Sequence, residues 1–132
     1  MEANKVDTNV NIITEQRLLE RDLGKLTGRN LKDAYSTFSE TAIKVWSRGY
    51  YSTPDEGENL DSVVIRLRGF LNYNIQPLLK KQKNVLLVCH NDVLRAISVI
   101  MGKHTKQSIE TCEVIDTPFI VRIGKDNAIK IQ

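Results

Sequence analysis

The sequence predicts an α/β domain, and three observations carry that prediction. Residues 85–89 form an apolar run of the kind found in a strand buried on both faces of a sheet. Residues 60–81 place apolar side chains at helical spacing along one stripe. The apolar run ends at His90, and a second helical pattern follows it. A buried strand flanked by amphipathic helices requires layered packing, so helices are expected to cover the sheet.

The first half of the chain is expected to begin with a weak strand. That strand is predicted over residues 10–14. Residues 17–30 contain two glycines and predict a loop, whereas residues 32–46 repeat apolar side chains near helical spacing and predict a single helix. Residues 48–58 contain a proline and a glycine, which indicates a second loop before the long helix.

The middle of the chain carries the clearest helix. Asn59 or Asp61 can cap its start at residue 60, because both side chains accept hydrogen bonds from free backbone N–H groups. Pro77 is expected to kink this helix or to end its first part, since proline has no N–H. The buried strand, residues 84–89, follows directly.

The last third predicts another helix and a pair of strands. The helix is expected over residues 92–101 and is ended by Gly102. A short helix is expected over residues 105–110. Residues 118–123 and 128–131 read as two antiparallel strands, because good turn formers join them. Few segments therefore qualify as core strands, as if part of the sheet were missing.

Composition narrows the class of protein. The 132 residues suggest one domain; 41% of them are hydrophobic, 27% are charged, and the net charge is +3. Without a long basic run, this charge does not favour nucleic acid as a partner. No apolar stretch approaches the roughly 18 residues of a membrane span, and the first five residues do not resemble a signal peptide. Cys89 and Cys112 lie far apart and outside metal-ligand spacing, so we expect a cytoplasmic protein without a metal site.

His90 is the residue that first suggests chemistry. It lies where the predicted strand ends and the next helix begins. Ligands of α/β proteins bind at the carboxyl ends of strands, and helix N-termini present N–H groups to anions. His90 could therefore act on an anionic group such as phosphate. The alternative is a core histidine at a strand end that is bonded only to backbone.

Three segments then occur in a characteristic order. They are LERDLGKLTGRN from Leu19, VWSRGY from Val45 with GENL from Gly57, and LVCHNDVLRA from Leu87. In this order they resemble the cofactor-dependent phosphoglycerate mutases of the histidine phosphatase superfamily. Patterns of that family are close to N-E-R-x-Y-G-x-L-x-G-x-N-K, W-R-R-S-Y, G-E-S-L and A-H-G-N-S-L-R. The segment TPFIV from Thr117 is similar to a family strand near the C-terminus.

The resemblance implies a fold and a reaction. The fold would be a truncated three-layer α/β domain over residues 1–132, with a mostly parallel sheet and helices on both faces. The reaction would be isomerisation of 3-phosphoglycerate to 2-phosphoglycerate through a phosphohistidine, with 2,3-bisphosphoglycerate as cofactor and without metal. The implied substrate is a small phosphorylated acid. The resemblance also implies that copies of the chain can assemble into a homo-oligomer.

The resemblance also assigns site residues. Glu20 matches the proton-transferring glutamate, and His90 matches the second family histidine, which holds phosphoryl oxygens. Arg21, Arg48 and Asn91 fall at substrate or phosphate positions. The alternative for Glu20 is an acid at the surface without a role in catalysis. The alternative for Arg48 is an arginine in a surface loop.

Several positions depart from the family pattern. Leu23 replaces a tyrosine, Leu31 a lysine and Ser47 an arginine, and each change removes a donor or a cation. Asn91 replaces a glycine, which works against close approach of the backbone. Asp92 replaces an asparagine and is expected to repel phosphate.

Other matched side chains are expected to be structural. Arg95 is predicted to support the fold, Trp46 and Tyr50 to pack, and His104 to lie solvated at the surface. The family's nucleophile belongs to an R-H-G motif, which neither histidine of this sequence occupies. The resemblance thus begins after the family's first strand, and we expect the chain alone to be inactive. The alternatives are half of a split enzyme completed by another chain, and a non-catalytic binding or interaction domain.

Overall fold

The computed structural model describes residues 9–112 together with the backbone of two short strands near the C-terminus, residues 121–123 and 129–131. Its helices are α1 (Leu31–Thr37), α2 (Glu40–Arg48), α3 (Leu60–Phe70), α4 (Gln76–Lys80), α5 (Asn91–Ile100) and α6 (Ser108–Thr111). Single 3-10 turns at Gln16–Leu18 and Gly24–Leu26 interrupt the first predicted loop. In the described part of the chain no helix is long and apolar enough to cross a membrane.

The prediction of a single helix over residues 32–46 was wrong, because two helices, α1 and α2, form there. Phe38 is extended, with a φ of −122°, and separates α1 from α2. The side chain of Asn30 accepts a hydrogen bond from the N–H of Asp33, and that of Ser39 accepts one from Ala42. Two good capping residues therefore start two short helices where the apolar spacing alone suggested one.

The long helix is confirmed, and it continues past Pro77. Asn59 caps α3 by accepting a 2.8 Å hydrogen bond from the N–H of Ser62. After α3 the backbone widens into a π-helical segment, Leu71–Ile75, and α4 follows. Pro77 lies in the first turn of α4, where a missing N–H is tolerated.

The core forms where α3 packs against α5. Gly102 has a φ of +73° just after α5, which confirms the predicted end of that helix. Tyr50 and Ile109 extend the core to the loop after α2 and to α6. The buried residues of this cluster are Tyr50, Leu60, Val63, Val64, Leu67, Phe70, Leu71, Val93, Ala96, Ile97 and Ile109.

The first predicted strand is not formed. Residues 10–14 belong to no helix or strand, and Val10, Ile12 and Ile13 are exposed. Their β-branched side chains favour a strand locally, but a strand needs a neighbour to pair with. No β-pairing of these residues occurs in the part of the chain that the structure describes.

Residues 84–89 also differ from the prediction of a strand buried on both faces. Their exposure alternates: Leu87 and Cys89 are half-buried against the core, whereas Leu86 is 87% and Val88 80% exposed. Between described residues they form no β-ladder. The apolar run therefore packs on one face only, because nothing described covers the other.

The predicted C-terminal hairpin is confirmed where it is described. Strand β1 (Val121–Ile123) pairs antiparallel with β2 (Ile129–Ile131), with Arg122 opposite Lys130. Residues 118–120 and 124–128, which hold the rest of the predicted strands and their turn, lie outside the described residues. The parallel part of the sheet stays a prediction.

Candidate functional site

The amino end of α5 brings together the two residues predicted to be catalytic. His90 immediately precedes α5, has an exposed side chain, and gives the helix no side-chain cap. Instead, the carboxylate of Glu20 accepts hydrogen bonds from the N–H of Asp92 at 3.4 Å and from the N–H of Arg21 at 2.9 Å. A partly buried carboxylate therefore occupies the end of the helix, where the dipole favours a negative charge.

The loop that carries Glu20 is held in place by Arg66. Arg66, on α3, donates hydrogen bonds to the carbonyl oxygens of Arg17 and Leu19, the latter at 2.8 Å, and to the Glu58 carboxylate at 3.1 Å. Glu58 in turn accepts from the N–H of Asp22 at 3.1 Å. Arg66 thus holds the backbone before Glu20 directly, and Glu58 connects the backbone after Glu20 to Arg66.

Glycine allows the same loop to approach the segment before α3. Gly24 has a φ of +54°, and a Cβ added there would lie 2.0 Å from the carbonyl oxygen of Asp55. The N–H of Lys25 donates to that same oxygen at 2.9 Å. A side chain at Gly24 would therefore force the two segments apart.

A buried cluster of charges lies beside Glu20. Arg21 donates from Nε to the Asp92 carboxylate at 2.8 Å and from Nη1 to the carbonyl of Trp46 at 2.8 Å. Arg95 donates to the other oxygen of Asp92 at 2.8 Å and to the carbonyls of Arg48 and Ile109, both at 3.0 Å. The cluster ties α5 to the end of α2 and to α6.

This arrangement gives Asp92 a structural role that was not predicted. The side chains of Arg21 and Arg95 are 2% and 4% exposed, and each donates to one oxygen of Asp92. Asp92 therefore compensates two buried cations, and its repulsion of phosphate stays a prediction. With Glu20 included, two negative and two positive charges cancel, so this group offers no excess positive charge to phosphate.

Arg21 was predicted to bind phosphate. Its Nε and Nη1 instead donate to the Asp92 carboxylate and to the carbonyl of Trp46. The side chain of Arg48 is exposed and donates to the carbonyl of Cys112 at 2.8 Å, so it is turned toward the end of α6. Asn91 is the first residue of α5 and is half-buried. Phosphate binding by these three residues stays a prediction.

The Cys89 thiol, next to His90 in sequence, is influenced by the negative charge of the Glu20 carboxylate. Burial raises the pKa of Cys89 above its usual range, and the negative charge of Glu20 raises this pKa further. Both effects favour the neutral thiol. Cys89 is therefore a poor nucleophile near neutral pH, which agrees with its expected role as a small apolar residue.

The supporting residues follow the predictions with one exception. Tyr50 is buried, Trp46 packs edge-on against Phe38 with ring centroids 5.1 Å apart, and Arg95 is structural as expected. His104 is the exception, because it is half-buried rather than solvated. Its ring nitrogens lie 3.9 Å from the Cys112 sulfur and 3.5 Å from the Ser108 hydroxyl.

Sequence reasoning missed the structural roles of Asp92 and Arg66. Of the two partners of Asp92, Arg21 lies 71 positions away in sequence, and Arg95 was predicted only to support the fold. Arg66 lies beside an apolar stripe, where a surface arginine is common. Among the positions that differ from the family pattern, Leu31 and Ser47 are exposed and Leu23 is half-buried. No group of three or more histidine, cysteine or acidic residues that could hold a metal occurs among the described residues.

Comparison with known proteins identifies the class. Residues 2–122 match the histidine phosphatase superfamily (branch 1), so the chain belongs to that superfamily. It is similar to curated proteins named 2,3-bisphosphoglycerate-dependent phosphoglycerate mutase. The Azorhizobium caulinodans protein is 31% identical over 123 residues, which cover 92% of this chain and 60% of the relative. The Brucella canis protein is 31% identical over 118 residues, which cover 89% and 57%.

A solved structure supports the fold. A mycobacterial glucosyl-3-phosphoglycerate phosphatase, solved with inorganic phosphate, superposes with a TM-score of 0.69 at 18% identity. The superposition covers 89% of this chain and 60% of that one. The fold is therefore phosphoglycerate mutase-like, and the chain spans less than two thirds of the length of the proteins that it matches.

Proposed function

We propose that this chain forms the proton-transfer and phosphate-facing part of a phosphoglycerate mutase-like site and that it does not turn over substrate by itself. One observation carries the proposal: the Glu20 carboxylate lies at the amino end of α5, next to His90, although 72 positions separate Glu20 from its partner Asp92. The substrate class would be a small phosphorylated acid, as the names of the relatives suggest.

The residues present can perform two parts of such a reaction. Glu20 can accept or return a proton near the reacting group, because a partly buried carboxylate is positioned there by two backbone N–H groups. The exposed imidazole of His90 can contact phosphoryl oxygens. Neither histidine lies in the R-H-G pattern expected of the nucleophile, so no phosphohistidine intermediate is assigned to this chain.

The cofactor 2,3-bisphosphoglycerate fits these residues poorly. It is a polyanion and needs several uncompensated cations. Arg21 and Arg95 are instead paired with Asp92, and Arg48 is turned to the carbonyl of Cys112. We therefore propose that the chain alone does not bind this cofactor tightly. A lost charged hydrogen bond typically costs about 1.5–3 kcal/mol, so two such losses bring a micromolar site to about millimolar.

Assays on the purified chain test the proposal. We expect no conversion of 3-phosphoglycerate, with or without 2,3-bisphosphoglycerate, and millimolar binding of both 3-phosphoglycerate and inorganic phosphate by calorimetry. His90→Ala should weaken this binding, while His104→Ala, away from α5's amino end, should not. Turnover abolished by His90→Ala, or micromolar and substrate-selective binding, would show that the chain contains a complete site.

Half of a split enzyme, completed by another chain, is the second candidate. About two fifths of the Azorhizobium caulinodans mutase has no counterpart in this chain. In this case another polypeptide would supply the nucleophilic histidine. Mutase turnover that appears only when the two polypeptides are combined, and that is lost with Glu20→Gln, would favour this candidate.

A further inference from the structure

A thiol and an imidazole lie side by side near the carboxyl end of α5. Nε2 of His104 and the sulfur of Cys112 are 3.9 Å apart, within the reach of a hydrogen bond to sulfur. Both side chains are half-buried, so the pair borders the solvent. Neither side chain takes part in the reaction proposed for Glu20 and His90.

The backbone around both residues is held in place. The N–H of His104 donates to the carbonyl of the buried Ser98 on α5 at 3.3 Å. The N–H of Cys112 donates to the carbonyl of Ile109 at 3.3 Å, and the carbonyl of Cys112 accepts from Arg48 at 2.8 Å. Contacts from α2, α5 and α6 therefore hold the thiol next to the ring.

Ser108 determines which ring nitrogen presents a lone pair to the thiol. Its hydroxyl lies 3.5 Å from Nδ1 of His104, donates to the carbonyl of Thr105 at 3.4 Å and accepts from the N–H of Thr105 at 2.9 Å. Because the single hydroxyl proton is given to that carbonyl, the hydroxyl accepts from the ring. This pattern assigns the proton of the neutral imidazole to Nδ1, and Nε2 is left as the acceptor that faces Cys112.

The cluster thus contains a nucleophile, a base and a group that orients the base. Cys112 supplies the sulfur, His104 the ring nitrogen within its reach, and Ser108 the hydroxyl on the opposite side of the ring. This order of groups activates a cysteine toward electrophiles, because the base removes the thiol proton as the sulfur attacks.

Cys89 provides an internal comparison. It is also half-buried, but burial and the negative charge of Glu20 raise its pKa and favour the neutral thiol. The neighbour of Cys112 is a base that accepts the thiol proton, whereas the charge near Cys89 opposes a thiolate. Since both thiols are half-buried, we expect these neighbours to decide which of the two reacts.

We propose that Cys112 is a modification site for a small disulfide of the glutathione type, with His104 as its general base. Nε2 takes the thiol proton while the sulfur of Cys112 attacks one sulfur of the disulfide. A new S–S bond forms to Cys112 as the bond within the disulfide breaks. The leaving sulfur departs as a thiolate and receives the proton from His104. Cys112 is thereby oxidised to a mixed disulfide, and the small disulfide is reduced to one thiol.

Oxidised glutathione, with mass spectrometry of both cysteines in the same protein, tests the site. We expect the mixed disulfide to form at Cys112 about tenfold or more faster than at Cys89, and dithiothreitol to reverse it. His104→Ala should lower the rate at Cys112 toward the rate at Cys89. Free imidazole added to this variant should restore part of the loss, because it replaces the missing base. The rate at Cys89 should stay unchanged throughout.

Gln107→Ala is the matched control, because Gln107 is exposed, precedes α6 and forms no side-chain cap. It should leave both rates unchanged. The proposal is overturned if the two cysteines react equally fast, if His104→Ala reacts like the unmodified protein, or if imidazole restores nothing. The comparison of the two cysteines uses the unmodified protein, so it decides the matter even if His104→Ala does not fold. Since no measurement uses phosphate or turnover, failure here leaves the proposed function standing.

Discussion

Arg21 and Asp92 lie 71 positions apart in sequence and are joined inside the protein by a hydrogen bond of 2.8 Å from Nε to Oδ2. Arg95 reaches the other carboxylate oxygen at the same distance. One aspartate therefore holds two buried guanidinium groups and links the loop after residue 19 to α5. The pairing explains how an acidic residue is tolerated at this end of the helix.

Asp92→Asn should destabilise the protein. The substitution leaves Arg21 and Arg95 buried without a counter-charge, and removing one partner of a buried ion pair costs about 3–5 kcal/mol. Because Asp92 is partly exposed and asparagine keeps one acceptor, we expect about 2–3 kcal/mol. Urea unfolding measures this change in the free energy of unfolding.

Glu40→Gln is the control for that experiment. Glu40 forms a 2.7 Å ion pair with Lys44, but both side chains are more than 65% exposed. Its loss should leave the free energy of unfolding nearly unchanged, because water and salt screen an exposed ion pair. Equal effects of the two substitutions, or improved phosphate binding by a stable Asp92→Asn protein, would contradict the structural role of Asp92.

Gly24→Ala should damage the loop that carries Glu20. The added Cβ would lie 2.0 Å from the Asp55 carbonyl oxygen, where no side-chain movement can relieve the contact. Gly28→Ala is matched to it, since Gly28 also has a positive φ, of +75°, but has no atom within 4 Å of the added Cβ. Gly28→Ala should cost about 1 kcal/mol and Gly24→Ala clearly more, as measured by thermal unfolding. Equal losses would mean that the close approach of the two segments is unimportant.

Cys89 should react slowly with iodoacetamide near pH 8, because burial and the charge of Glu20 raise its pKa. In a Cys112→Ser background only Cys89 reacts. Glu20→Gln removes the negative charge, lowers the pKa of Cys89, and should increase the alkylation rate a few-fold. Glu56→Gln, an exposed change, should leave the rate as it was. An unchanged rate in Glu20→Gln would place the Glu20 carboxylate away from the thiol.

Tyr50 should make stability fall at high pH. Its pKa is raised to about 12, mainly by burial and then by its hydrogen bond to Asp61, whereas a tyrosine in the unfolded chain ionises near 10. A raised folded-state pKa stabilises the protein fully below pH 10, and this contribution disappears as the pH rises to 12. Unfolding free energies should thus drop by about 1–2 kcal/mol over that range through Tyr50.

Tyr50→Phe isolates that contribution. At pH 7 the variant reports the lost hydrogen bond to Asp61, and between pH 10 and 12 its stability should fall less steeply than that of the unmodified protein. Parallel curves for the two proteins would show that Tyr50 ionises as it does in the unfolded chain.

The apolar periodicity of the sequence predicted α3 and α5 well. Their buried stripes recur over several turns, so the pattern outweighs single exceptions. The same reasoning joined α1 and α2, because it gave too little weight to the capping side chain of Ser39. It failed for residues 10–14 and for the two-sided burial of residues 84–89, since a strand depends on neighbours that local sequence does not specify.

The sequence by itself determined the superfamily, the two main helices with the Gly102 stop, and the identity of Glu20 and His90 as candidates. These features depend on local spacing or on short ordered motifs. Only the tertiary structure decided which charges meet. It paired Arg21 and Arg95 with Asp92, turned Arg48 toward the carbonyl of Cys112, and left Leu86 and Val88 exposed. Electrostatic partners and exposed edges are set by contacts between segments far apart in sequence, and no local pattern records them.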